Sequence, residues 1–207
     1  MPSNYNTNVF INCPFDPDYV EMQSRIIFTI IYLGYEPQIA SLIDDSGQFR
    51  LSKIQEMIEN SKYSIHDISR LKAQKKGEFY RLNMPLELGM DMGARRYQRK
   101  HSEKKFLILV ATSYDYLKAA SDLNGFDPKK HDNNAEKAVE RVRDWIENHD
   151  PKKADGAAKI SASYLEFRSD LYDELVNNRG FNEEQAKNLQ LSELVAEMKD
   201  WLAIKTL

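Results

Sequence analysis

The 207-residue chain predicts an α/β protein in which a parallel sheet is flanked by helices and followed by a C-terminal helical extension. Two observations carry this expectation. Short apolar runs of strand length alternate with stretches of helical periodicity through the first half, the pattern of successive βα units with right-handed crossovers. Past residue 131 the apolar residues recur only at three and four, so the strands end and helices continue. The expected division is an α/β domain over 1–131 and a helical extension over 132–207.

Val9-Phe10-Ile11 is the first strand, and it runs into Asn12-Cys13-Pro14-Phe15-Asp16-Pro17, where the prolines forbid further ladder pairing. An apolar-rich helix follows over 18–33, and Gly34 sits where a helix end takes a left-handed residue. Residues 35–41 read as a second strand that Pro37 places near an edge. After the turn Asp44-Asp45-Ser46-Gly47, Leu51, Ile54 and Ile58 share one helical face, and residues 63–68 alternate as a strand. A Lys-rich loop through Gly77 leads to a helix over about 83–96, with Asn83 expected as its cap and Pro85 in its first turn. Residues 106–110 are wholly apolar, as a central parallel strand is, and 114–130 read as irregular. The extension predicts three helices, on stripes through Val139 and Trp145, through Tyr164 and Leu175, and through Leu194 and Leu202. Trp145, Trp201 and Leu202 are expected to be buried, against the sheet domain or a second copy.

Composition excludes several classes. At 42 % hydrophobic residues the chain has enough apolar material for a core, so disorder is not its main state. Its 29 Lys and Arg against 32 Asp and Glu give a net charge of −3, leaving no global positive field for nucleic acid or an anionic membrane. The longest apolar run, 26–33, falls far short of the ~20 residues that span a bilayer, and the first residues have no leader-like apolar segment. A single cysteine, Cys13, allows no internal disulfide and no cysteine zinc cage, which suits a reducing cytoplasm. Phosphate-cradling glycine loops and the Gly-x-Ser-x-Gly elbow are missing, and no histidine has an i,i+4 partner for a metal. Neither a metal nor a resident cofactor is therefore expected.

In an open parallel sheet the ligand crevice lies beyond the carboxyl ends of the strands. The residues there are polar: Asn12 and Phe15 after the first strand; Asp44, Asp45, Ser46, Phe49 and Arg50 after the second; His66, Asp67 and Ser69 at the third. Asn83 and Glu87 then open the next helix. Glu87 is read as a first-turn acid, kept ionised by the helix dipole. An ionised carboxylate is what a nucleophile or a stabiliser of a ribosyl cation requires, although a first-turn acid also completes a helix with no chemistry at all. Strand alternation sends His66 and Asp67 to opposite faces, which makes His66 structural. Cys13, next to a buried strand, is expected to be packed and inert.

Asn12-Cys13-Pro14-Phe15, Ile65-His66-Asp67-Ile68 and Leu86-Glu87-Leu88-Gly89 are similar, in order and spacing, to three landmarks of the nucleoside 2-deoxyribosyltransferases. These are a Gly-Pro-Phe-like turn after the first strand, an Asp ending the third, and a Glu-Leu-Gly-Tyr-Ala helix whose Glu is the nucleophile. That family shares its flavodoxin-like fold with Toll/interleukin-receptor (TIR) domains, whose NAD-cleaving members also use a Glu in the helix after the third strand. The likeness covers about residues 8–112. Cys13 replaces the usual Gly, Asp91 stands where the transferase helix has Ala, and the helices after 131 match neither family. The resemblance implies Glu87 and Asp67 as catalytic residues and Phe15 as the aromatic against the base, with Phe49 a further stacking candidate. It implies cleavage or transfer of an N-glycosyl bond of NAD or a related nucleotide, bound as substrate, and for a bacterial TIR-like enzyme a role in anti-phage defence. Nucleoside salvage by a deoxyribosyltransferase, or a nucleotide-sensing adaptor without catalysis, are the alternatives. A homo-oligomer is compatible with it, because TIR-like sites are often completed by a neighbour.

Overall fold

The computed structural model of the protein describes residues 4–42, 47–71 and 82–205. The Lys-rich loop through Gly77 lies outside them. Five strands, β1 (Asn8–Asn12), β2 (Glu36–Gln38), β3 (Tyr63–Asp67), β4 (Lys105–Val110) and β5 (Lys129–Lys130), form one parallel sheet in the order β2-β1-β3-β4-β5. That is the flavodoxin-like order, and its switch point lies between β1 and β3. The helices are α1 (Val20–Tyr32), α2 (Arg50–Glu59), α3 (Asn83–Tyr97), α4 (Ala135–His149), α5 (Ala157–Asp173), α6 (Glu183–Lys187) and α7 (Leu191–Lys205). None among the described residues is long and apolar enough to cross a membrane.

The period-two geometry of the strands sorts their side chains between two layers. Val9, Ile11, Tyr63, Ile65, Leu107 and Leu109 face α1 and α4 and share one core with Tyr164, Phe167, Leu194 and Met198 of the later helices. On the other face Phe10 packs on Ile54, Met57 and Ile58 of α2, while Ile108 and Val110 meet Met84 and Leu88 of α3. β1 is buried along its whole length because it has strands on both sides and helices on both faces. β2 is shorter than expected and pairs with β1 alone, which is the edge position that tolerates Pro37.

β5 departs from the expectation of irregular chain over 114–130. It consists of two exposed lysines paired with Leu109 and Val110, so no apolar pattern announced it. Directly after it, α4 packs beside α1 and closes the helical layer on that face. The division expected at 131/132 therefore falls inside a βα unit. The described extension also has four helices rather than three: α6 is fixed by a capping box between Asn182 and Gln185, and its acidic first turn masked it. Trp145 is buried as expected, but Trp201 and Leu202 are only half-buried. Trp201 lies at the rim, where its indole N–H donates to Asp170 Oδ2 at 2.8 Å.

The α2/α3 face also carries a buried polar chain. The Asn12 amide donates to the Met84 carbonyl at 2.9 Å and to His66 Nδ1 at 3.1 Å, and His66 Nε2 donates to Asp91 Oδ2 at 3.1 Å. Asp91 Oδ1 is 3.1 Å from the Lys104 ammonium, which also donates to the carbonyls of Ile58 in α2, at 2.7 Å, and of Ser61 just past that helix. His66, Asp91 and Lys104 are fully buried. Burial alone would raise the Asp91 carboxyl, yet the hydrogen bond from His66 and the Lys104 charge hold it below its ordinary value. Removing one partner of such a pair strands the other charge, so Lys104→Met is expected to cost roughly 3–5 kcal/mol in denaturant unfolding. Lys104→Met combined with Asp91→Leu should cost clearly less than Lys104→Met alone.

Candidate active site

The carboxyl edge of β1 and β3 is where the chain changes sides, and three segments meet there. The loop after β1 presents Phe15, which is 44 % exposed. The start of α2 presents Phe49, exposed, and Arg50, whose guanidinium lies 5.9 Å from the Phe15 ring centroid. From α3 comes Glu87, only 8 % exposed.

Glu87 differs from its expected setting. α3 begins at Asn83, so Glu87 lies in the second turn, beyond the strongest field of the helix end. Asn83 is not the cap either: it is the first helical residue, exposed, and Leu82 occupies the cap position with no side-chain hydrogen bond. No other described residue makes a hydrogen bond or ion pair with the Glu87 carboxylate. Burial pushes its carboxyl up to about 7, with the Arg50 guanidinium pulling the other way. A carboxyl raised by burial in a crevice is a candidate for chemistry, a property that first-turn completion of a helix does not require.

Asp67 has the opposite character. It points to the α1 face, fully buried, and accepts from the Tyr19 hydroxyl at 2.5 Å and the Ser69 amide at 2.9 Å, with His131 Nε2 3.0 Å from its Oδ2. The Asn133 amide donates to His131 Nδ1 at 3.1 Å, which assigns the imidazole proton to Nε2. Ser69 Oγ also lies 2.9 Å from Nε2. Because serine and aspartate meet the same ring nitrogen, this is no catalytic triad, in which the two nitrogens serve different partners. Asp67 instead ties β3, the start of α1 and the β5–α4 turn together.

Asn12 is likewise beneath the surface, with both amide hydrogens engaged. The structure thus gathers Phe15, Phe49, Arg50 and Glu87 at one edge, leaves Asn83 exposed and Ser69 half-buried nearby, and turns Asn12 and Asp67 inward. Asp44, Asp45 and Ser46 lie outside the described residues. Cys13 is packed as expected: it accepts from Gln23 at 3.3 Å, and burial pushes its thiol up to about 12. His66 and Asp67 do occupy opposite faces, as the alternation requires.

Sequence reasoning missed Tyr19, Asp91, Lys104 and His131. Asp91 was findable, since it lies four residues after Glu87 and so on the same helical face. Lys104 was not, because nothing in a Glu-Lys-Lys run tells which lysine is buried. A roomy cleft between α1, α5 and α7 contains Lys159 and Lys199, but these pair with Asp155 at 2.9 Å and Glu36 at 2.6 Å. Among the described residues no group of His, Cys, Asp and Glu is arranged to hold a metal.

These features define a parallel α/β protein of flavodoxin-like order with a carboxylate at its switch-point crevice. No protein-family model, curated protein or solved structure matches the chain.

Two stability measurements check this geometry. Tyr19→Phe removes a donor from a buried carboxylate and should cost about 1.5–3 kcal/mol. For Glu87, whose folded value of about 7 exceeds its ordinary 4.5, the stability it contributes is present in full below about 4.5 and is lost as pH rises to about 7. Glu87→Gln should therefore gain on wild type between pH 5 and 8, by on the order of 3 kcal/mol, and unfolding curves at the two pH values read the gain directly.

Proposed function

We propose that the protein cleaves or transfers the N-glycosyl bond of NAD or a related nucleotide, with Glu87 stabilising or trapping the ribosyl cation. The observation that carries this reading is a carboxylate 8 % exposed, without a hydrogen bond or close ion pair to a described residue, at the sheet's switch point. A buried carboxylate of this kind is completed by a cation, and a pyridinium ring or an oxocarbenium-like centre supplies one. Arg50 beside it suits a phosphate, and Phe15 and Phe49 suit stacking on a base.

The engagement of Asp67 favours a substrate whose leaving group needs no proton. When the bond from the ribose C1′ to a pyridinium nitrogen breaks, the electron pair passes to that nitrogen and the ring leaves neutral. A deoxynucleoside base leaves as an anion unless an acid protonates it, and Asp67 already accepts two hydrogen bonds and lies 3.0 Å from His131 Nε2. NAD-type substrates are accordingly preferred over salvage of deoxynucleosides. Acceptance of the ribosyl group by water gives hydrolysis, and by a second hydroxyl gives transfer.

Incubation with NAD, nucleoside monophosphates and deoxynucleosides, with base release read by chromatography, tests the reading. Release from NAD is the expected result, and release from none of them overturns it. kcat/KM should rise with pH through about 7, since the ionised form of Glu87 is the active one. Glu87→Gln should lower kcat by on the order of 10²–10³ while the fold is kept.

A further inference from the structure

We infer that the buried chain Asn12–His66–Asp91–Lys104 is the positioning device for Glu87, fixing the rotation and depth of α3 against the sheet. This rests on Glu87 being the reacting carboxylate. Glu87 has no hydrogen bond to another described residue, so the helix that carries it sets its position. That helix is weakly disposed to hold itself: it has no side-chain cap, and its interior contains Gly89 and Gly93. Its location comes from tertiary anchors, and two of them bracket Glu87. One turn before it, the Met84 carbonyl accepts from Asn12 at 2.9 Å, and one turn after it, Asp91 meets His66 and Lys104, each at 3.1 Å.

The two anchors lie on the helical face that Glu87 shares, and they reach different parts of the sheet. Asn12 ends β1, His66 lies in β3, and Lys104 precedes β4 while holding the carbonyls of Ile58 in α2 and Ser61 just beyond it. Together they fix α3 against rotation and sliding at once. A carboxylate about 6 Å from a helix axis moves ~1 Å when the helix turns by ~10°. Misplacement of that size costs on the order of 10² in rate. An apolar seam would hold the helix nearby, but it is tolerant of small rotations in a way that directional hydrogen bonds are not. Among the described residues the charged group facing Glu87 is Arg50 of α2, and the neutral Cys13 thiol lies within electrostatic reach across the β1 loop.

Two variants test the assignment. Asp91→Leu with Lys104→Met removes the later anchor without changing net charge, and Asn12→Ser removes the earlier one without touching any charge. The Glu87 carboxyl is followed by carbon-13 NMR titration, with its signal assigned through its loss in Glu87→Gln, and folding is checked by circular dichroism. In a folded variant the midpoint is expected to fall by at least one pH unit toward the ordinary carboxylate range, as water reaches the loosened site. With NAD as substrate, kcat should drop at least tenfold with KM changed less than about twofold. Should the double variant fail to fold, Asn12→Ser decides. A folded variant whose Glu87 midpoint stays within about 0.3 unit of wild type overturns the proposal. Because the titration needs no turnover, a wild type that cleaves nothing while the midpoint still moves would defeat the glycosyl-transfer reading and leave the positioning role standing.

Discussion

A carboxylate and an ammonium share a dry site beneath α3, and the arrangement of the α2/α3 face follows from their need for each other. Alone, either charge would be unfolded into water or neutralised. Paired, and completed by His66 and by carbonyls at and just past the end of α2, they are held at one geometry only. The ion pair therefore joins three elements distant in sequence: β3 through His66, α3 through Asp91, and α2 through the carbonyls that Lys104 satisfies. What a purely apolar contact would leave adjustable is here specified by direction.

The two acids of α3 show how environment assigns different roles to one chemical group. Asp91 and Glu87 stand one turn apart on one face of one helix. Donors surround Asp91 and hold its carboxyl below the ordinary value, so it stays charged and inert. Burial raises Glu87 to about 7 because, among the described residues, only the Arg50 guanidinium opposes the loss of water. In the proposed mechanism this difference separates the structural carboxylate, Asp91, from the reacting one, Glu87. Asp67 is committed to the scaffold by contacts instead, accepting from Tyr19 and Ser69 with His131 beside it.

Much of the fold was legible because it depends on pattern. Apolar residues 106–110, the alternation over 63–67 and the helical stripe of 51–58 each carry their period in the sequence. β5 was not legible, since two lysines at an edge need no apolar face, and without it α4 was assigned to an appendage instead of the sandwich. At the site, Glu87, Arg50 and Phe15 could be named from their places after the strands. The burial of Asn12 and Asp67 could not, because it depends on Met84, Tyr19 and His131, none of which is near either residue in sequence. The inversion of the expected dipole effect at Glu87 has the same origin: a one-turn difference in where α3 begins moved the residue from an exposed helix end to a desolvated flank.

The core on the α1 face joins residues near the amino terminus to residues of the last third of the chain. Phe28 of α1 is sealed by Tyr164, Phe167 and Trp201, and Ile26 and Ile27 belong to the same cluster as Val139 and Met198. During synthesis the apolar back of the sheet thus waits for its cover. At ~5–20 residues per second, each hundred residues of delay lasts about 5 to 20 s. The emerging chain spends that time with β1, β3 and α1 able to associate while their outer face remains wet, an interval in which a holding chaperone has an apolar surface to bind. The final helices are then more than an appendage: their arrival closes the nascent sheet and ends its exposure to other chains.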